Sequence, residues 1–544
     1  MAGMYKTLRG DQALALGALA AGVRVVTGYP GSPATGVLDS FLALAKSETA
    51  YVQWAPNEKV ALEMAFGASL GGSRALVVLK SVGLNIALDP LATMSLSGCH
   101  AGLVILLGDD PGGWSSQNEQ DTRWLARVAE VPLVEPINVA EAASLMVQAY
   151  IWSETLNIPV IVRVIGALTL AEGAVEEPWQ LPPFTQRFWH KRNRWVVLPA
   201  TVVGYHRMLH RCLAQIQGLF EVSPFDHLSG QGSLGVVAVG CAHAKLLRAM
   251  EGRTSNLQIL GLTSVWPLPE RKLTRWLRGL ERILILEEGG PFVEESLAAL
   301  AQRAGLEVSI SGRHDRLIPE EGELGEEDIA TALARLDPAY QPPERAPAPR
   351  AMPSKVPLCE DCPYRPTFEA LLRAIGRHGG RERHIVVGET GCMVRANLPP
   401  FELFDVKYGL GSGLGLALGL ALSGTPEHII ALLGDSSFFH SDINALPQAQ
   451  QLGLPLVVVI LDNGTTALTG GQPHPGSPVD ELGRPRACTD LAAVIRGYGL
   501  EPRLCSPEDV PAMEAAFDEA LEAQDLRLII VRGPCPKYTR QRTA

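Results

Sequence analysis

The sequence predicts an α/β fold: two doubly wound parallel-sheet domains with a smaller α/β domain between them. Three observations predict it. The run 428–475 holds two apolar segments, 429–433 and 456–461, of the continuous β-rich kind that parallel sheets bury on both faces, with a helical stretch over 442–452 as the crossover. From the N-terminus to about residue 164, helical and strand patterns alternate, and a shorter alternation recurs over 235–311. The 544 residues fit roughly three domains at ~150 residues each.

In chain order, domain one spans 1–180, with helices at 11–21, 37–46 and 139–155 and strands at 23–27, 51–54, 75–79, 101–107, 132–134 and 159–164. The apolar stretch 13–26 follows Lys6 and Arg9, but Asp11 and Gln12 precede it and Arg24 lies inside it, so it reads as an amphipathic first helix rather than a secretion signal. Residues 181–234 open with Phe188, Trp189, His190, Lys191, Arg192, Arg194 and Trp195 and read as a traversing connection with a solvated charged face. The small α/β domain, 235–312, places strands at 236–239, 258–262, 283–287 and 306–309. Residues 313–357 turn acidic and then proline-rich, as an inter-domain linker does. The last domain is 358–544, with a frayed tail from 537.

Composition narrows the function. At 47% hydrophobic, 19% charged and a formal net charge of -11, the chain carries no nucleic-acid footprint. No stretch approaches the ~20 uncharged apolar residues of a membrane span. Nine scattered cysteines without a secretion signal favour thiols or metal ligands over disulfides, and a cytoplasmic location is expected.

A right-handed crossover delivers Gly434-Asp435-Ser436 and Asp462-Asn463-Gly464 to the carboxyl ends of neighbouring strands, the edge at which open α/β sheets bind ligands. Asp435 and the Asn463 amide suit Mg²⁺, which takes oxygen ligands and sits against phosphates; as plain structure they cap a helix and a turn. Glu58 follows a strand and opens the small-residue helix 60–70, where the helix dipole favours an acid by roughly 0.3 to 1 kcal/mol. His440 and His474 are candidates for proton transfer or for structural hydrogen bonds. The glycine-rich run 409–415 lacks the preceding strand and acidic partner of a dinucleotide motif and reads as close helix packing. Cys359 and Cys362 form a lone C-x-x-C, with no second pair for zinc and no thioredoxin-like context; Cys392 and Cys535 lie in the same domain. Cys99, Cys212, Cys241, Cys488 and Cys505 read as core.

Several segments in order carry a family resemblance. They are Gly28-Tyr29-Pro30-Gly31-Ser32-Pro33, Asn57-Glu58-Lys59-Val60-Ala61, Lys80-Ser81-Val82-Gly83-Leu84-Asn85, Gly108-Asp109-Asp110-Pro111-Gly112, Ser115 to Asp121, Gly434 to Ser441, and Gln472 to Gly476. Through them the chain resembles the thiamine-diphosphate 2-oxoacid:ferredoxin oxidoreductases, in particular the large subunit of the indolepyruvate enzymes. The resemblance implies a thiamine-diphosphate-binding fold, with a pyrimidine domain (1–180), a transketolase-C-terminal-like small domain and a diphosphate domain (358–544). It implies that Asp435, Asn463 and the Thr465 carbonyl hold Mg²⁺ against the diphosphate, beside Gly434, Ser436 (usually Gly) and Ser437. Glu58 would face the aminopyrimidine, and the Ser32 hydroxyl the substrate carboxylate. Cys359, Cys362, Cys392 and Cys535 match the order of a [4Fe-4S] ligand set.

The implied activity is oxidative decarboxylation of a 2-oxoacid, an arylpyruvate such as indolepyruvate, to an acyl-coenzyme A, with electrons passed to ferredoxin or another acceptor. The implied partner is a smaller subunit, in a dimer of heterodimers. The family's ferredoxin-like extension has no counterpart up to Ala544, so electrons are expected to leave another way. A non-redox thiamine-dependent decarboxylase or carboligase is the alternative. A catalytically silent binding subunit is a further one, against which intact Glu58, Asp435 and Asn463 argue.

Overall fold

The computed structural model describes residues 5–45, 50–185, 187–190, 194–251, 253, 256–342 and 356–539. It divides into two compact units: Met1–Val52 with Glu58–Pro353, and Gln53–Asn57 with Ser354–Ala544.

The first unit contains two main sheets and a two-stranded antiparallel one. The larger has seven strands in the order Ser264–Trp266, Leu133–Val134, Val160–Ile165, Leu103–Asp109, Ala75–Lys80, Val25–Gly28, Tyr51–Trp54. Its centre is parallel, and Ala75–Lys80 and Leu103–Asp109 are buried at every residue, the double-faced burial their apolar runs predict. The expected amphipathic first helix is Gly10–Ala20, and it is not amphipathic in place: Ala13, Leu14, Ala15, Gly17, Ala18 and Ala20 are all buried, because small side chains let it sit between neighbours. The smaller sheet runs Ser309–Ser311, Arg282–Leu286, Leu234–Val239, Leu257–Leu262, His227–Gly230, the last antiparallel.

Three features of this unit go beyond the sequence expectations. The helix Pro199–Phe220 lies within the expected connection and buries Tyr205, Leu209, Ile216 and Phe220, four residues on one helical stripe. The presumed linker is folded up to residue 342: the helix Glu326–Leu336 puts Ile329, Leu333 and Leu336 into one core with Val236 and Leu284. Its proline-rich part, 343–355, lies outside the described residues. Tyr5–Arg9 pairs antiparallel with Glu172–Glu176, two segments whose sequence shows no apolar strand pattern. Between the two sheets, the wholly buried Arg123 pairs with Glu287 (2.6 Å) and Asp121 (2.6 Å), and Arg163 with Asp109 (2.7 Å) and Glu135 (2.8 Å). Truncating one partner in such a network leaves a buried charge alone, at about 3–5 kcal/mol.

The second unit is a six-stranded parallel sheet, ordered Val406–Lys407, His384–Gly388, His428–Gly434, Leu456–Asp462, Leu526–Arg532, Arg503–Cys505. One face packs Phe368, Leu371, Met513 and Phe517, the other Leu414, Leu418, Leu446 and Ile495. The crossover expected as one helix over 442–452 is broken into the helix Asp435–His440, a single turn Asp442–Asn444 and the helix Leu446–Leu452, whose early proline suits a helix start. The expected frayed tail begins with a short turn, Pro536–Thr539; 540–544 lie outside the described residues. Among the described residues, no helix is long and apolar enough to cross a membrane.

Candidate active site and cysteine pocket

The strand His428–Gly434 ends at Asp435, which opens a helix and is 2% exposed. Its Oδ1 accepts the Ser436 N–H (2.8 Å); its Oδ2 accepts the N–H groups of Asn463 (3.0 Å) and Gly464 (2.7 Å) from the end of the adjacent strand. A third donor reaches Oδ2, His474 Nε2 at 3.1 Å. The Gly476 N–H donates to His474 Nδ1 (3.0 Å), so Nδ1 is the acceptor and Nε2 carries the proton. His474 therefore orients Asp435, and its geometry is that of a positioning residue. Asn463 Oδ1 accepts the Thr465 N–H (3.0 Å). Asp435 Oδ1 and Asn463 Oδ1 each take one of these hydrogen bonds and can accept another, which leaves two oxygens suited to a hard cation. Beside them opens a cavity of ≈ 480 Å³ lined by Asn463, Gly464, His474, Gly476, Asp490 and Arg532, among others. Arg532 is held there by Asp462 (2.7 Å) and Asp490 (3.2 Å).

Cys359, Cys362, Cys392 and Cys535 line one pocket, and Asn463 lines it too. Two anchors fix the C-x-x-C turn. Arg365 donates to the carbonyls of Leu358 (2.7 Å) and Cys359 (2.6 Å), and the Cys362 N–H to the Cys359 carbonyl (3.3 Å). The Cys535 N–H donates to the Asn463 carbonyl (3.3 Å), tying the fourth cysteine to the second strand end. Among the described residues, no three of these sulfurs lie within 4.8 Å of one another. Burial pushes the Cys362 thiol up to about 11 and Cys392 up to about 12, so these sulfurs ionise when a metal takes them. Of the cysteines expected in the core, Cys99 and Cys241 are buried, while Cys488 is exposed and lines the cavity by Asn463.

One pair of carboxyls escaped the sequence reading. Glu389 and Asp442 are 0% and 1% exposed. Glu389 accepts the Ser437 hydroxyl and the Gly413 N–H, and Asp442 Oδ1 accepts the Leu414 N–H (3.1 Å). A Cβ on Gly413 would lie 2.7 Å from Glu389 Cγ, so the glycine-rich run is the opening through which Glu389 reaches a helix N-terminus. Asp442 Oδ2 has no conventional donor; its neighbour is Glu389. Burial and the Glu389 charge push Asp442 up to about 10, and burial raises Glu389 as well. With both carboxyls raised and side by side, the pair shares a proton. His440 is buried, its Nδ1 2.7 Å from Ser441 Oγ.

In the first unit, Glu58 starts the helix Glu58–Leu70 and is 6% exposed. A Cβ on Gly83 would stand 2.6 Å from Glu58 Oε1, so that glycine admits the carboxyl. Ser32 is exposed, and its carbonyl accepts the Ser115 hydroxyl (3.1 Å). The same Ser115 accepts Lys80 Nζ at both its carbonyl (2.7 Å) and its hydroxyl (2.8 Å). Burial lowers Lys80 to about 8, against the opposing pull of Asp110 at 3.8 Å. Lys80 is a second missed group; its position in the Lys80 to Asn85 motif was visible, its link to the Ser32 loop was not.

Two family models match the chain: "Pyruvate flavodoxin/ferredoxin oxidoreductase, thiamine diP-bdg" over residues 16–197 and "Thiamine pyrophosphate enzyme, C-terminal TPP binding domain" over 389–531. The fold and these matches define a thiamine-diphosphate-dependent 2-oxoacid oxidoreductase. The chain is 33% identical to "Indolepyruvate oxidoreductase subunit IorA" of Methanothermobacter thermautotrophicus over 535 residues, 97% of this chain and 86% of the relative. It is also 33% identical to the protein of the same name from Pyrococcus abyssi over 566 residues, 98% and 86%. It belongs to this family of indolepyruvate oxidoreductase subunits. A shorter likeness, 31% over 219 residues, links 38% of the chain to 39% of the "Benzoylformate decarboxylase" of Pseudomonas aeruginosa.

Proposed function

We propose that the chain is the thiamine-diphosphate-binding subunit of an enzyme that oxidatively decarboxylates an arylpyruvate, indolepyruvate or a close analogue, to its acyl-coenzyme A, with electrons leaving through a [4Fe-4S] cluster to ferredoxin or a similar acceptor. Bound thiamine diphosphate supplies the nucleophile for the keto carbon and the electron sink for loss of carbon dioxide. Asp435, Asn463 and the Thr465 carbonyl would hold Mg²⁺, and Gly434, Ser436 and Ser437 would border the diphosphate. His474 keeps Asp435 aimed, and Glu58 would place its carboxyl against the aminopyrimidine. Ser32 and Lys80 offer a hydroxyl and a cation to the substrate carboxylate. His440 is retained as a proton-transfer candidate.

The observation that carries the redox reading is that the four cysteines converge on one pocket that shares Asn463 with the Asp435 site. A decarboxylase without redox chemistry has no use for that convergence. The resemblance and the relatives' names as subunits support a smaller partner chain, in a dimer of heterodimers.

The deciding measurement is iron and acid-labile sulfide in anaerobically purified protein, alone and with its partner subunit. About four of each per chain is expected, from the all-cysteine ligand set. No iron after reconstitution, with carbon dioxide still released from arylpyruvates, would move the assignment to the non-redox decarboxylase.

A further inference from the structure

We propose that Glu130, His206 and His210 form a binding site for a divalent transition metal of the zinc class, separate from the thiamine and cysteine sites. His206 and His210 are one turn apart on the helix Pro199–Phe220, so both rings leave the same face. Their centroids are 4.2 Å apart. Both turn Nε2 to one carboxylate: His206 to Glu130 Oε2 at 2.6 Å and His210 to Oε1 at 3.0 Å. One ligand atom from each residue falls within a 4.8 Å group, a combination that no other set of three His, Cys, Asp or Glu side chains achieves among the described residues.

The chemistry selects the ion. Two imidazoles and a carboxylate are a set that zinc uses with its fourth position open, at bonds of about 2.0–2.2 Å. Tetrahedral bonds of that length separate ligand atoms by about 3.3 Å, so opening the present contacts by under ~1 Å admits the ion. Imidazole nitrogen disfavours Mg²⁺ and Ca²⁺, which take oxygen. The histidine side chains are 47% and 58% exposed and Glu130 27%, so the ion has a route in and a face for water.

The site also has a structural logic. Glu130 follows the helix Arg123–Val128 and sits at φ 55, a left-handed conformation uncommon for a side-chain-bearing residue. Its N–H bonds the Arg127 carbonyl (3.3 Å). Helix Pro199–Phe220 holds the unit by its buried stripe, Tyr205, Leu209, Ile216 and Phe220, and its histidines lie beside that stripe. A bound ion would join this helix to the turn at Glu130, so metal affinity would appear as stability of the folded first unit.

The test uses the untagged full-length chain, because a polyhistidine tag would bind the same ions. Zn²⁺ binding is measured by equilibrium dialysis on wild type, His206→Ala, His210→Ala and Glu130→Gln, with thermal unfolding recorded at each Zn²⁺ concentration. Wild type should hold one more equivalent than either histidine variant, and its Tm should rise with Zn²⁺ where theirs does not; Glu130→Gln should weaken that equivalent at least about tenfold. Any zinc taken by the cysteines is the same in all four chains and cancels in the difference. With Co²⁺, the difference spectrum should show visible ligand-field bands without thiolate charge transfer. Equal zinc content and equal Tm response across the four chains would overturn the site. These side chains are partly exposed, so the metal-free variants should unfold like metal-free wild type.

Discussion

Two pockets of the second unit share Asn463 and are built on opposite principles. At Asp435 the protein has already arranged the donors: three backbone N–H groups and the His474 Nε2–H converge on one carboxylate. The cysteine pocket is the reverse, with Cys362 and Cys392 pushed to about 11 and about 12 by burial, so its charge arrives with the ligand. The first pocket is preorganised by the fold and should bind its cation reversibly. The second is completed by assembly, and its loss should leave the first intact.

The largest expected effect breaks the preorganised side. Asp435→Ala removes the acceptor on which four donors meet, and Mg²⁺-dependent thiamine-diphosphate binding should vanish in calorimetry; wild-type affinity in this variant would mean the cation sits elsewhere. Next comes the assembled side. Serine at any one of Cys359, Cys362, Cys392 or Cys535 should abolish visible iron-sulfur absorbance and electron transfer to an external acceptor. Thiamine-diphosphate affinity should stay at the wild-type value, and Cys99→Ser or Cys505→Ser should keep the absorbance. Cofactor affinity that collapsed with the cluster would show the two pockets to be one.

Glu58→Gln tests a carboxyl that neither pocket contains. It should keep the cofactor and lose about 10² to 10⁴ in turnover, the range of a positioned acid or base. Near-normal turnover would assign the proton to another group. His474→Ala should act on affinity alone, weakening Mg²⁺-dependent cofactor binding about 10- to 100-fold, as loss of an outer-sphere partner does. Turnover at saturating cofactor should be unchanged, and His474→Gln should recover part of the affinity. A fall in kcat at saturation would make His474 a proton carrier instead.

The pattern of what could be read follows from locality. Asp435 and Asn463 were legible because each ends an apolar strand, and a right-handed crossover fixes their relation. The four cysteines were legible as a set only through the family resemblance; their meeting at one pocket depends on the ends of the strand Leu526–Arg532 and the helix Tyr364–Arg377. The helix Pro199–Phe220 was missed because only Tyr205, Leu209, Ile216 and Phe220 are buried along 22 residues, a thin stripe in a polar segment. Cys488 was misread because nothing local separates a core cysteine from one on a cavity rim. Glu389 and Asp442 were invisible as a pair. Each stands at the start of a short helical turn, or just ahead of one, and their proximity is created by the close approach that Gly413 permits.

That pair gives the most specific effect, one read in stability alone and not in cofactor binding. The ordinary Asp value is 3.8, and in the fold Asp442 is pushed up to about 10 by burial and by Glu389. Between about pH 4 and about pH 10 the native chain therefore holds more protons than the unfolded chain, so this group's contribution to stability is full at the acid end and declines as pH rises through that window. Asp442→Asn keeps the shape and removes the titration. Urea midpoints of both chains from about pH 5 to about pH 9 should show the variant gaining on wild type as pH rises, because the groups common to both cancel and the wild type alone must hold this proton. The shift should leave thiamine-diphosphate affinity untouched, since Asp442 sits on Glu389 rather than on Asp435. Parallel pH curves for the two chains would mean that Glu389 and Asp442 do not share a proton, and that the carboxyls beneath the glycine-rich run ionise independently.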